Sequence, residues 1–148
     1  MTAVPPAAVV DASVAVKWVI GEAGSENAAM LKGARLYAPD LWVAECANVL
    51  WKKAARKEIS AEEAEAAAMA LEAAEVELVA TRPMLARAVR LAALLGHPAY
   101  DCFYLLAAAD LGLSLITADA RLAQLARRKE VPAPVLALSD LAAGREGA

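Results

Sequence analysis

"AYDCFYLLAAADLGLSLITADARL", residues 99–122, carries no basic residue before Arg121. It reads as a helix over 99–111 that is apolar almost all round, a turn at Gly112, a short apolar strand, "LSLIT" (113–117), and then Asp119. Asp101 falls in the first turn of that helix. Its neighbours at i+3, i+4 and i+7 are Tyr104, Leu105 and Ala108, so it lies along an apolar face. An ionised carboxylate taken out of water is costly unless something positive meets it. No Lys or Arg lies nearby in sequence.

The same alternation of short strands and longer helices extends to both sides of this stretch. "AAVV" (7–10) reads as a strand, followed by a helix over 13–20 and another over 24–34. "RLYAP" (35–39) is a brief extended piece closed by Pro39. A long helix covers 40–58 with Asp40 as its N-cap. A helix over 60–74 opens with Ser60 and Glu63 at capping-box spacing. "VELVA" (76–80) alternates as a strand does. Helices over 83–95 and 99–111, the strand 113–117, a helix over 119–129 and the strand "PVLAL" (134–138) complete the series. Such βα alternation argues for one α/β domain over 1–148 with a mainly parallel central sheet of four or five strands.

Composition narrows the function classes. The chain has 148 residues, 60% of them hydrophobic, and a formal net charge of -3. That balance excludes a protein that coats nucleic acid by bulk charge, but not one that grips a strand with a local basic patch. The two cysteines, Cys46 and Cys102, form no C-x-x-C pair and sit in apolar helical sequence, as small hydrophobes do. The one histidine, His97, stands beside Pro98 in a loop with no local partner, which excludes a His-based zinc site or a Ser-His-Asp triad. The N-terminus has no basic n-region, and no run of about 18 residues is free of charge. The expectation is a cytoplasmic protein with no membrane span.

Four acids stand apart from the other carboxylates. Asp11 and Asp119 directly follow apolar strands, and in open parallel sheets the site lies outside the carboxyl ends of the strands. Asp101 opens a helix that runs back along the sheet, and Glu45 lies one turn into the helix after Pro39. Each has an ordinary reading as well: Asp11 and Asp119 as N-caps, Glu45 as a solvated helix residue. Together, four converging carboxylates repel and need a cation, and hard oxygen ligands suit Mg²⁺ or Mn²⁺. Asp110, on the other side of the helix from Asp101, and Asp140, after the last strand, read as solvated or capping.

The chain resembles a PIN domain, and within that family the VapC-type ribonuclease toxins of bacterial and archaeal toxin–antitoxin pairs. The stretches that carry the resemblance are "VVDASVAVKWVI" (9–20), "APDLWVAECANVLWK" (38–52), "AYDCFYLLAAADLG" (99–112) and "LSLITADARL" (113–122). They follow the family's order and cover most of the chain. The resemblance implies a three-layer α/β/α sandwich. It places Asp11, Glu45, Asp101 and Asp119 at the family's four acidic positions, as metal ligands and catalytic residues. Ser13 and Thr117 match supporting polar positions, and Asn48, one turn after Glu45, is placed to orient it. The sequence departs at Cys102, where the family usually has a small apolar residue.

The implied activity is metal-dependent endoribonuclease cleavage with Mg²⁺ or Mn²⁺. The implied partners are an RNA substrate, a small antitoxin and a second copy in a homodimer. Asp11, Glu45 and Asp101 serve as main ligands, and Asp119 holds a second metal or orients water. Lys17, Lys52, Lys53 and Arg121 are candidates for the RNA backbone, with solvated surface as the alternative. A rival of another class is a silent PIN-like domain that only binds an antitoxin or RNA. A phospho-acceptor domain is disfavoured, because Ala12 follows Asp11 and "VLALSD" (135–140) carries no lysine.

Overall fold

The computed structural model describes residues 1–142. Five parallel strands form the central sheet: β2 (Ala7–Val10), β3 (Arg35–Pro39), β4 (Val76–Val79), β5 (Leu115–Thr117) and β6 (Val135–Ala137). Their spatial order is β4-β3-β2-β5-β6. Thus β2 and β5, far apart in sequence, are neighbours, with Val9 opposite Leu115 and Val10 opposite Ile116. A separate two-stranded parallel ladder pairs β1 (Thr2–Ala3) with β7 (Leu141–Ala142).

Because side chains alternate along a strand, each sheet face gathers its own core. Val9, Leu115 and Val135 face the larger one. There they meet Trp42, Cys46 and Leu50 of α3 (Trp42–Ala55), Ala67 and Leu71 of α4 (Ala61–Glu72), Leu91 and Leu95 of α5 (Leu85–Leu95), and α6 (Ala99–Leu111). Ala8, Val10 and Ile116 face the smaller core with Val14 of α1 (Ala12–Ala15) and Ala28 of α2 (Ser25–Ala29). The result is the three-layer α/β/α arrangement.

Helix α6 is the central one. It packs on β2, β3 and β5, and its run Tyr104–Ala108 is buried without a break. That is why its sequence shows no polar face. It ends at Gly112, which takes the left-handed conformation (φ 68°) open to glycine. Its apolar length serves this packing, and no single helix among the described residues is long and apolar enough to cross a membrane.

Several local expectations differ from the structure. Asp40 does not cap α3; it accepts a 2.7 Å hydrogen bond from Thr81 Oγ1, and the helix starts after Leu41 without a side-chain cap. The helix expected over 24–34 shrinks to five residues, because the turns that follow run to Gly33 at φ 94°. The helices expected over 13–20 and 119–129 each end in a tight 3₁₀ turn, leaving α1 and α7 (Ala120–Gln124) short. The capping box at Ser60 and Glu63 forms in full.

Candidate acidic active site

Sequence order delivers three acids to one end of the sheet. Asp11 follows β2 and Asp119 follows β5 at their carboxyl ends, and the register between these strands sets Asp11 beside Thr117, two residues before Asp119. Both aspartates are N-caps and site candidates at once. Asp11 accepts from Val14 N (3.2 Å) at the start of α1, and Asp119 accepts from Arg121 N (2.8 Å) at the start of α7. Asp101 reaches the same end from the first turn of α6. Glu45 comes from the first turn of α3.

Asp11 is the fixed point. It is buried at 6% exposure. Ser13 Oγ donates to its Oδ1 at 2.5 Å, and the Thr117 hydroxyl donates to its Oδ2. Ser13 Oγ in turn accepts from Ala118 N, and Thr117 Oγ1 accepts from Asp119 N, each at 3.0 Å. Ser13 and Thr117 therefore tie the two strand ends together. Burial pushes the Asp11 carboxyl up to about 6, the bonds from Ser13, Thr117 and Val14 hold it from rising further, and the Asp101 charge adds to the rise.

Glu45 is half-buried, and burial followed by the Asp101 charge raises its carboxyl above the usual range. The Tyr104 hydroxyl of α6 lies close enough to favour the charged form, yet stays outside hydrogen-bond geometry: Glu45 Oε1 and Tyr104 OH are both buried without a partner. Trp42 Nε1, one turn before Glu45, is a third buried polar atom left unpaired. Tyr104 itself is pushed far above the usual phenol range, first by burial and then by the Glu45 charge. The flanking thiols are inert hydrophobes: burial pushes Cys46 up to about 12 and Cys102 up to about 11.

Asp101 does not face only other acids. His97 Nε2 lies 2.5 Å from Asp101 Oδ2, with 8% of the histidine side chain exposed. An ionised carboxylate only accepts, so Nε2–H is the donor. The reading of His97 as a loop residue without a partner is corrected here. His97 lies outside the helix, so its reach of four residues to Asp101 is a property of the Gly96–Pro98 entry turn and not of helical spacing. A His four residues before an acid across a helix-starting Pro was the available signal.

The other candidates separate. Asn48 is exposed and makes no side-chain hydrogen bond among the described residues, so Glu45 is not oriented by it. Asp119 is exposed. Asp110 forms a two-pronged exposed pair with Arg87, both contacts at 2.9 Å, and Asp140 is exposed. Lys17 and Lys53 are not free cations: both bind Glu22, at 3.1 and 2.5 Å. Burial pushes the Glu22 carboxyl upward, but Lys53 and Lys17 together hold it below its usual range. Lys52 and Arg121 are exposed.

No group of three or more His, Cys, Asp or Glu among the described residues is close enough together to hold a metal ion. The Asp101 charge acts on Asp11 and on Glu45, but the three do not form a closed set, and Asp119 is exposed. The donors still fit a hard divalent cation. All are carboxylate oxygens, Glu45 Oε1 is buried with nothing to satisfy it, and the Asp101 charge adds to the cost of ionising both Asp11 and Glu45.

Comparison with known proteins agrees with the fold. The family model for the PIN domain matches residues 8–128. The crystal structure of PAE2754 from Pyrobaculum aerophilum is similar in fold, with a TM-score of 0.66 at 21% identity, over 88% of this chain and 83% of that one. No curated protein matches the chain. The family match runs from β2 past α7 and takes in all four acids, and the chain belongs to the PIN domain family, a family of nucleases.

Proposed function

We propose that the protein is a metal-dependent endoribonuclease that acts as the toxin of a type II toxin–antitoxin pair, using Mg²⁺ or Mn²⁺. The observation that carries this reading is that the charge of Asp101 acts on both Asp11 and Glu45 at the carboxyl end of a PIN-family sheet. A protein that only binds has no use for two partly buried acids whose charged forms are made costlier still by a third.

Asp11, Glu45 and Asp101 would hold the cation, with Asp119 beside them. The chemistry supplied by a bound Mg²⁺ or Mn²⁺ is Lewis-acid chemistry: activation of a water and compensation of charge on the phosphate. The chain's own residues prepare the place. Ser13 and Val14 fill both acceptor positions of Asp11 Oδ1, while Oδ2 keeps one beyond Thr117. Glu45 Oε1 offers an unsatisfied acceptor. His97 donates to Asp101 and fixes its direction. One oxygen of Asp119 caps α7 and the other can take a proton from an attacking water or orient it. No side-chain nucleophile is required.

The proposed partners are RNA, a small antitoxin and a second copy of the chain. The test is hydrolysis of a mixed RNA pool in chelator, with Mg²⁺, Mn²⁺ or Zn²⁺ restored in turn, for the parent and Asp11→Asn. Cleavage restored by Mg²⁺ or Mn²⁺ and lost in the variant is the expected result. Full activity in chelator would overturn the metal mechanism, and no cleavage with any metal would favour a silent binding domain.

A further inference from the structure

A groove of about 1120 Å³ runs along α7 and the segment after β6. Its lining includes Thr117, which hydrogen-bonds Asp11, and Asp119, together with Lys17, Gln124, Arg127 and Asp140. Lys17 is folded back on this wall. Its Nζ donates to Ala23 O at 2.8 Å and to Glu22 Oε1 at 3.1 Å, and the same carboxylate binds Lys53 through Oε2 at 2.5 Å. The chain is shaped around that position. Gly24 takes φ 90°, and a Cβ there would stand 3.2 Å from Lys17 Cδ and 3.3 Å from Cε. Glu22, which does not itself line the groove, thus sits between two ammonium groups and holds Lys17 at the groove's wall.

We propose that this groove takes the single-stranded RNA segment flanking the scissile phosphate, and that Glu22 holds Lys17 back until the strand arrives and claims it. The inference rests on the nuclease reading and adds where the strand runs. The volume exceeds the usual 300–1,000 Å³ of small-molecule sites, and the groove is continuous with the acids through Thr117 and Asp119. A chain of net charge -3 must hold a polyanion with local cations. Asp119 belongs to the cation-binding end, so phosphates beyond it are left to Lys17 and Arg127. A lysine already bound to an internal carboxylate contributes nothing until that contact is exchanged. Glu22 therefore weakens loose binding and favours strands that also reach the acids.

The experiment is fluorescence anisotropy of a labelled, mixed-sequence single-stranded RNA in chelator, over a range of KCl, with cleavage in Mg²⁺ measured in parallel. Lys17→Gln and Arg127→Gln should each weaken binding severalfold and flatten the salt slope by about 0.7, the value for one phosphate contact on a single strand. Glu22→Gln should tighten binding severalfold and steepen the slope. Lys32→Gln, an exposed lysine in the separate cavity near the start of β3, should change neither. The proposal is overturned if Lys32→Gln matches Lys17→Gln, if the Lys17 and Arg127 variants bind like the parent, or if folded Glu22→Gln fails to bind more tightly. Displacement by an acidic peptide more readily than by unlabelled RNA would assign the groove to a protein tail instead. If the parent cleaves RNA while these variants bind normally, only the groove assignment fails; if the parent neither binds nor cleaves RNA, the nuclease reading fails with it.

Discussion

The Thr117 hydroxyl donates to Asp11 Oδ2 across 106 residues of chain, one ladder step beyond the Val10–Ile116 pair. The same hydroxyl oxygen accepts from Asp119 N. One buried threonine thus fixes both acids that the sheet delivers. Thr117→Val keeps the shape and removes the donor. A hydrogen bond to a charged group is worth about 1.5–3 kcal/mol, so the variant should be less stable by about that much in urea unfolding at neutral pH. Its Asp11 carboxyl should titrate above the parent's value of about 6 in carbon NMR, because a bond favouring the charged form is gone. Parental stability and titration in the variant would contradict the role.

Asp11 gives a pH prediction with a definite sign. In the metal-free fold its carboxyl titrates at about 6 against 3.8 as its ordinary value. Between these values the folded protein binds the proton that the unfolded chain releases. This contribution to stability is full below about pH 4 and is lost as pH rises through about 6, a loss on the order of 3 kcal/mol. Asp11→Asn does not titrate. The variant should match the parent near pH 4 and be the more stable of the two at pH 8. Urea unfolding of both proteins in chelator at pH 4, 6 and 8 measures the difference, in which other titrating groups cancel. A variant equally destabilised at all three pH values would show that Asp11 acts only as a cap.

Much of this site was legible because period and position carry it. The apolar runs before Asp11 and Asp119 are buried parallel strands, and α6 shows its central place in a sequence with no polar face. The capping box at Ser60 was legible for the same reason, since both partners lie within one turn. What was not legible depends on contacts between distant segments or on irregular backbone. Asp40 has a capping sequence position, but Thr81 of a distant turn takes its carboxylate. Lys17 and Lys53 look like free cations until the loop after α1 brings Glu22 between them. The β1–β7 ladder has two residues a strand, too few to show any period. His97 escaped because helical spacing does not apply to a residue that precedes the helix.

The tryptophans separate the core from a candidate contact face. Trp42 is buried, and Trp18 donates to Ala28 O at 2.9 Å. Trp51 is 63% exposed, and Val43 is exposed two turns before it on the same face of α3, with Ala47 between. Apolar side chains in such a stripe favour a partner. The protein should scatter light as a homodimer without antitoxin, and Trp51→Glu should shift it toward monomer at equal concentration while leaving its far-UV circular dichroism like the parent's. A parent that stays monomeric at high concentration would count against the dimer, and a dimer unaffected by Trp51→Glu would place the contact elsewhere.

Asp101 and Asp110 lie on one helix and should respond oppositely to Mg²⁺. Asp101 is coupled to Asp11 and Glu45, whereas Asp110 is exposed and committed to Arg87. Asp101→Asn removes a charge from the crowded pocket and keeps an oxygen to accept from His97. Relief of repulsion and the weaker neutral hydrogen bond act in opposite directions, so the metal-free variant should stay within about 1 kcal/mol of the parent. A cation that binds only the folded protein stabilises it by about 2.7 kcal/mol at a hundredfold excess over its dissociation constant. Asp101→Asn should lose most of that gain, and RNA cleavage with it. Asp110→Asn should lose only its exposed pair with Arg87, which costs little, and keep both the metal response and the activity. Thermal unfolding of the parent and both variants, with and without Mg²⁺, decides it. A full Mg²⁺ shift in Asp101→Asn, or its disappearance in Asp110→Asn, would move the cation away from these acids.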